Sequence, residues 1–233
     1  MKKYVIMPAR GGSKRIHQKN IKSFNGKPLI LWTLSNLLSY DIFDEIIITT
    51  DDEEVANTCI SLNVKVLNNR PSYLSNDLSP TLPVIKFVLE NYLELADPLD
   101  EVVCIYPGAV LLEKRDLVAA KSLFLRNNNR FVIAATKYSH PIQRSFIINE
   151  KKDVLVSNSG LIQQRTQDLD QYFHDAGQFY WGNKRLWKSS NSILENCAAI
   201  EIPNSRIQDI DTPEDWERAE IMHNISLSKF KNI

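Results

Sequence analysis

Positions 8–20 read Pro8-Ala9-Arg10-Gly11-Gly12-Ser13-Lys14-Arg15-Ile16-His17-Gln18-Lys19-Asn20. Arg10, Lys14, Arg15 and Lys19 place four cations within ten positions, and Ser13 and Asn20 add neutral hydrogen-bonding groups. Two of the seven glycines stand side by side here. Backbone without a Cβ turns sharply and brings N–H groups against an anion. The chemistry that such a loop can do is to hold phosphate. Neither G-x-x-x-x-G-K-[ST] nor G-x-G-x-x-G is present, so a bound triphosphate is implied without the ATPase or dinucleotide patterns. A basic surface loop is the competing reading; the paired glycines and the apolar run directly before them weigh against it.

A second pair of residues has metal chemistry. In extended chain, residues two apart face the same side, so Asp209 and Asp211 project together while Ile210 turns inward. Two convergent carboxylates suit Mg²⁺, a hard cation that keeps waters and bridges to substrate phosphate. Helix capping competes for the same stretch: Thr212 precedes Pro213, Glu214 and Asp215, the pattern of a helix start. Both hold together if Thr212 caps and the aspartates take metal. Asp51 and Asp52 read as helix-start acids rather than ligands.

The elements that must position these residues alternate. Tyr4–Met7 is a short buried strand, and a helix opens at Pro28 with Leu29, Leu31, Trp32, Leu34, Leu37 and Leu38. Glu45–Thr50 and Val64–Leu67 are strands, 82–95 a helix, Glu101–Tyr106 a strand, Asp116–Leu125 a helix and Arg130–Thr136 a strand. That rhythm predicts an α/β fold, a Rossmann-like, mostly parallel sheet with helices on both faces. In such sheets ligands bind at the carboxyl ends of the strands, where the Pro8–Asn20 loop begins. After Lys137 the rhythm changes. Ser145–Ile148 and Val154–Ser157 predict a hairpin, Gln178–Trp181 and Ala198–Ile202 further strands, and Thr212 the start of the last helix. Residues 1–233 thus read as one domain, with about 138–172 an inserted hairpin and loop. Phe146, Ile148, Val154 and Val156 have too little chain nearby to cover them, and an isolated hairpin is marginal in water, so the hairpin is expected to protrude and pack in a homodimer.

The 233 residues are 43% hydrophobic and 24% charged, with 28 basic and 28 acidic side chains. That composition fills a core, and the zero net charge argues against a general nucleic-acid or anionic-membrane binder. About four apolar residues precede Pro8, fewer than the roughly 7–15 of a signal-peptide core, and no window approaches the ~18 of a membrane span. Cys59, Cys104 and Cys197 are far apart and make no metal spacing or disulfide framework. A cytoplasmic protein is expected.

The run Met7-Pro8-Ala9-Arg10-Gly11-Gly12-Ser13-Lys14, followed by Lys19-Asn20-Ile21, resembles the opening motif of the CMP-sugar-acid synthetases, cytidylyltransferases that activate sialic-acid-like sugars. The resemblance continues in order through Thr50-Asp51-Asp52, Arg70-Pro71 with Leu74-Ser75-Asn76-Asp77, and Asp209-Ile210-Asp211-Thr212. Arg165-Thr166-Gln167-Asp168 and His174-Asp175-Ala176-Gly177-Gln178-Phe179-Tyr180-Trp181 look most like the pseudaminic acid branch.

The resemblance implies transfer of CMP from CTP to an acidic nine-carbon sugar, a nonulosonic acid, releasing pyrophosphate, for bacterial surface glycan synthesis. Pseudaminic acid is the favoured acceptor, with legionaminic and N-acetylneuraminic acids as alternatives. It implies that Arg10, Lys19 and Asp211 carry catalysis and that Asp209 and Asp211 hold Mg²⁺. Ala9, Arg10, Gly11, Gly12, Ser13, Lys14, Asn20, Arg70, Ser79 and Thr81 map to the nucleotide. Gln143, Arg165, His174, Gln178 and Tyr180 map to the sugar, with Arg165 offering a fork for its carboxylate. Deprotonation of the acceptor hydroxyl is left open between Asp211, water and metal polarisation.

There are departures. Tyr106-Pro107-Gly108-Ala109-Val110-Leu111-Leu112 stands where this family carries a polar turn near the sugar, and His17 where proline is common. A non-catalytic nucleotide-binding regulatory protein is the reading of another class, disfavoured by Arg10, Lys19, Asp209 and Asp211.

Overall fold

The computed structural model describes residues 1–76, 79–93, 96–127, 130–157 and 160–231. Asp77 of the family motif and the last two positions of the expected 82–95 helix, Glu94 and Leu95, lie outside the described residues. Strand β1 (Lys3–Pro8) leads through a short ribbon, β2 (Ser23–Phe24) and β3 (Lys27–Pro28), into helix α1 (Leu29–Tyr40). Then follow β4 (Glu45–Thr49), α2 (Glu53–Cys59), β5 (Lys65–Leu67), α3 (Thr81–Asn91), β6 (Glu101–Ile105), α4 (Lys114–Arg126) and β7 (Phe131–Lys137). The hairpin β8 (Phe146–Ile148) and β9 (Val154–Val156) precedes β10 (Phe173–Asn183), α5 (Lys184–Ser189), β11 (Cys197–Glu201) and α6 (Pro213–Lys231). Among the described residues, no helix is long and apolar enough to cross a membrane.

The main sheet has seven strands in the order β11-β7-β10-β6-β1-β4-β5. Every pairing is parallel except the two made by β10, which runs antiparallel between β6 and β7. The mostly parallel α/β reading therefore holds, and the short strand expected at Gln178–Trp181 proves to be the centre of an 11-residue one. Its apolar run is buried on both faces, as a strand inside a two-sided sheet requires.

Alternation sorts the strand side chains into two cores. Val5, Met7, Ile46, Ile48, Val103, Ile105, Phe179 and Trp181 pack on one face against α1, α2 and α4. Tyr4, Ile6, Ile47, Val102, Cys104 and Tyr180 pack on the other against α3 and Trp187 of α5. Cys104 is fully buried, and that burial pushes its thiol far up, so it is core as expected.

Helix starts follow their local chemistry. The Asp52 carboxylate accepts from the N–H groups of Glu54 and Val55, and Thr212 and Asp215 cap α6 reciprocally. Hairpin β8–β9 forms a separate two-stranded sheet, with all six of its side chains 41–66% exposed.

Strand β10 has no room for a larger residue at Gly182, near its carboxyl end. A Cβ on Gly182 would lie 2.8 Å from the Phe131 ring and 3.1 Å from Trp187 Nε1. Gly182→Ala is therefore expected to lower unfolding free energy by about 1–3 kcal/mol, the usual cost of overpacking. Gly12→Ala, which meets nothing within 4 Å, should stay within about 0.5 kcal/mol of the parent. Equal urea midpoints for the two variants would contradict this packing.

Candidate active site

The carboxyl ends of β1, β4, β6 and β7 share one edge with the amino end of antiparallel β10, and the loops there build the site. After β1 the chain is tied down at once: buried Ala9 donates its N–H to the Thr49 carbonyl at 3.0 Å, and Gly11 donates to Asp51 Oδ1 at 3.2 Å. Buried Asn20 closes the loop by donating from Nδ2 to the Arg10 carbonyl at 2.8 Å.

The paired glycines act differently from the expected sharp turn. Among the described residues, the positive-φ glycines are Gly26 and Gly177. Gly11 is needed for close approach, because a Cβ there would lie 2.1 Å from Asp52 Oδ2, while Gly12 faces open space. Ser13, Lys14 and Arg15 line a recess of about 320 Å³ with Arg10, Lys19, Asn20 and Asp211.

Beside that recess lies a cavity of about 450 Å³, bounded by Arg10, Lys19 and Asn20 of the first loop. Arg70, Ser79 and Thr81 form a second wall, and Tyr106, Gln178 and Tyr180 a third. The Arg70 side chain is only 2% exposed and donates to Asp51 Oδ1 at 3.0 Å and Ser75 Oγ at 3.2 Å. Burial pulls its guanidinium down while Asp51 holds it up. One carboxylate, Asp51, thus joins the phosphate-loop backbone to a buried cation, which a helix-start acid alone would not do.

On the third wall, Tyr106 bonds to Thr81 and stands edge-on to Tyr180, with ring centroids 5.9 Å apart. The Tyr180 hydroxyl donates to Asp175 at 2.6 Å, and the other Asp175 oxygen accepts from Gly177 N–H at 2.9 Å. Burial pushes both tyrosines far up, so both stay neutral donors. This wall explains the unusual Tyr106–Leu112 stretch. Tyr106, Pro107 and Gly108 face the cavity, whereas Ala109 to Leu112 are buried in the cores.

Asp209 lines the cavity and Asp211 the phosphate recess, joined by a segment whose Ile210 is buried. Lys19 Nζ donates to the Ile210 carbonyl at 2.6 Å and lies 3.6 Å from Asp211, which Arg15 also meets at 2.9 Å. Burial raises the Asp209 carboxyl, neighbouring Asp211 raises it further, and Lys19 opposes both. Gln208 is a wall residue without a counterpart among those expected from the sequence, while Tyr106 and Asp175, which lie in stretches already placed near the sugar, also line the cavity.

Not every expected residue comes to the cavity. Arg165 is 73% exposed, pairs with Asp168 at 2.8 Å, and lines no part of the cavity. Gln143 is buried but spends its Nε2 on the Asp170 carbonyl at 2.9 Å, also away from the cavity. Both lie in the segment between β7 and β10, while the cavity wall is made by β10 itself. His174 is exposed against the Tyr138 ring, in an adjoining cleft of about 570 Å³ that shares Asp175, Gln208 and Asp209 with the cavity.

The Asp209 environment has a measurable consequence. A carboxyl raised by folding is ionised at neutral pH in both states, but at a cost in the folded one, so stability falls as pH rises through the carboxylate range. Asp209→Asn removes that cost. It should unfold at a higher denaturant concentration than the parent at pH 7, with the difference vanishing once pH drops below the ordinary carboxylate pKa. A lower midpoint at pH 7 would show that Asp209 is stabilised, not strained, where it stands.

Comparison with known proteins places the chain in a family. The cytidylyltransferase family model matches residues 4–202. A pseudaminic acid cytidylyltransferase of Campylobacter jejuni is 37% identical over 97% of this chain and 98% of its own. The CMP-N,N'-diacetyllegionaminic acid synthase of Legionella pneumophila is 24% identical over 94% and 95%. Among solved structures, CMP:2-keto-3-deoxy-manno-octonic acid synthetase complexed with CTP superimposes with a TM-score of 0.71 at 18% identity, covering 97% of this chain and 100% of that one. A strand-end loop rich in cations, a buried arginine beside it, and Asp209 and Asp211 on the segment that meets the loop thus stand on a chain that belongs to the cytidylyltransferase family.

Proposed function

We propose that this protein transfers CMP from CTP to a nonulosonic acid, with pseudaminic acid the preferred acceptor, and releases pyrophosphate. The observation that carries the reading is the meeting of Arg10, Lys19 and Asn20 with Asp209 around one cavity, in a chain 37% identical to a pseudaminic acid cytidylyltransferase.

The anomeric hydroxyl of the acceptor attacks the α-phosphate, and the bond to pyrophosphate breaks. Ionised CTP and a sugar acid bring about five negative charges together, and such transfers run on positioning and charge stabilisation. Arg10, Lys14 and Lys19 offset that charge, and the Gly12 backbone and the Ser13 hydroxyl offer donors to phosphate, the Gly11 N–H being given to Asp51. Asn20, Arg70, Ser79 and Thr81 bound the nucleoside end, whereas Ala9, expected there from the sequence, is buried in the core and lines no part of the cavity. Asp209 and Asp211 fit Mg²⁺: they are oxygen donors two residues apart, and burial, with the Asp211 charge adding to it, raises the Asp209 carboxyl, a penalty that a divalent cation would relieve. When bound, that ion would neutralise phosphate charge and help the acceptor hydroxyl lose its proton.

Gln178 and Tyr180 face the acceptor from β10. Gln178 donates to the Arg206 carbonyl at 2.9 Å, and its Oε1 is buried without a partner. With Arg165 outside the cavity, the carboxylate role expected for it draws no support from this geometry.

The chain works in the cytoplasm, where CTP is available, as a homodimer. Phe146, Ile147, Ile148, Val154, Leu155 and Val156 are exposed on one hairpin, and an apolar two-stranded unit of this kind needs a partner surface.

Pyrophosphate release with CTP and a panel of nonulosonic acids tests the reading directly. Pseudaminic acid should give the highest kcat/KM; preference for N-acetylneuraminic acid would sink the acceptor assignment, and no release with any acceptor would sink the activity. Arg10→Ala and Lys19→Ala should each lose on the order of 10²–10³ in rate with folding intact, and near-normal turnover would remove that residue from the machinery. Light scattering should give a dimer that Ile147→Lys converts to monomer; a monomeric parent at micromolar concentration contradicts the hairpin's role.

A further inference from the structure

We propose that Arg206 and Asp116, which lie outside the cavity, are positioning residues that set the location of the Asp209–Asp211 carboxylates. This rests on the reading of those two aspartates as metal ligands. Arg206 lies three residues before Asp209, in the loop between β11 and α6. Its guanidinium meets Asp116 of α4 through a two-pronged contact, Nη1 to Oδ2 at 2.5 Å and Nη2 to Oδ1 at 2.9 Å. A planar fork on a carboxylate fixes direction as well as distance. Asp116 is itself locked, because it accepts from the Glu113 N–H at 3.0 Å in the capping box of α4. Glu113 adds a second carboxylate 3.6 Å from Arg206.

The backbone of Arg206 is held as firmly as its side chain. Its carbonyl accepts from Gln178 Nε2 at 2.9 Å. Gln178 follows Gly177, whose positive φ of 60° places it against Asp209, with a Cβ there lying 3.8 Å from Asp209 Oδ2. One bulge of β10 therefore touches both the anchor and the carboxylate that it serves. At the far end, buried Ile210 packs with Val110, Leu111 and Trp216, and Gln208 Nε2 bonds Asp215 Oδ1 at 2.9 Å. The segment between Arg206 and Thr212 is pinned at both ends, and Arg206–Asp116 is the upstream pin. Burial gives this pair little net stability by itself; its distinctive contribution is geometric.

The test uses Arg206→Lys, which keeps the charge but loses the fork, and Asp116→Asn, which keeps shape and can still cap α4. Mn²⁺ binding is followed by electron paramagnetic resonance on protein with CTP and no acceptor, so no turnover is needed. Both variants should weaken Mn²⁺ binding by about 10–100-fold, the range for partners that orient metal ligands. CTP binding in chelator should stay within about twofold of the parent, and half-saturating Mg²⁺ in pyrophosphate release should rise with the Mn²⁺ constant. Saturating Mg²⁺ should restore most of kcat, which a collapsed site would not allow. Parental Mn²⁺ affinity in both variants, beside its loss in Asp209→Asn and Asp211→Asn, would overturn the positioning role alone. Parallel loss of metal-free CTP binding would also overturn it, since the pair would then be general scaffold. Unchanged Mn²⁺ binding in Asp209→Asn and Asp211→Asn would remove the metal reading, and the positioning role with it.

Discussion

Lys19 reaches across 191 positions of sequence to the carbonyl of Ile210, and beside that bond its ammonium faces Asp211. This contact joins the cationic loop after the first strand to the anionic segment before the last helix. The cavity exists because the two are held at that spacing. The joint is assembled from a distance. Helix α6 returns over the β2–β3 ribbon, where Phe24 stacks edge-on against Trp216 and Asn25 bonds to Glu220 and His223. That docking buries Ile210 in the third core with Val110 and Leu111. Apolar packing therefore sets where the charges meet, and the charges set what the cavity can accept.

The opposite wall depends on β10. A strand inserted against the direction of its neighbours presents its amino end at the edge where the others present their carboxyl ends. Its register slips between Asp175 and Tyr180, and a bulge of this kind re-aims side chains near sites. Gln178, Tyr180 and Asp175 turn into the cavity there, and Tyr106 meets them from the end of β6. The apolar stretch that follows Tyr106 then serves packing, which is why so little polarity remains in it.

A chain with no net charge thus concentrates both signs at one edge. Burying Asp209 beside Asp211 disfavours its charged form, and the divalent cation proposed for these carboxylates would offset that. Strain of this sort is commonly kept at functional sites at some cost in stability.

Much of this was written locally in the amino-acid sequence. The cationic loop after the first strand, the caps at Asp52 and Thr212 and the parallel strands follow from neighbours within a few residues, and the structure keeps each of them. Arg70, Asn20, Gln178 and Tyr180, named from sequence motifs, all line the cavity. The direction of β10 was not legible, because an apolar run buried on both faces carries no mark of which way it points. The wall roles of Tyr106 and Asp175 were therefore hidden, as was the distance of Arg165 and Gln143 from the cavity. Nor does sequence show that Arg206 grips α4, since the two are 90 positions apart. Hydrophobic period and capping chemistry are short-range and decide elements; which elements touch depends on strand order and core packing, and only the tertiary structure decided that.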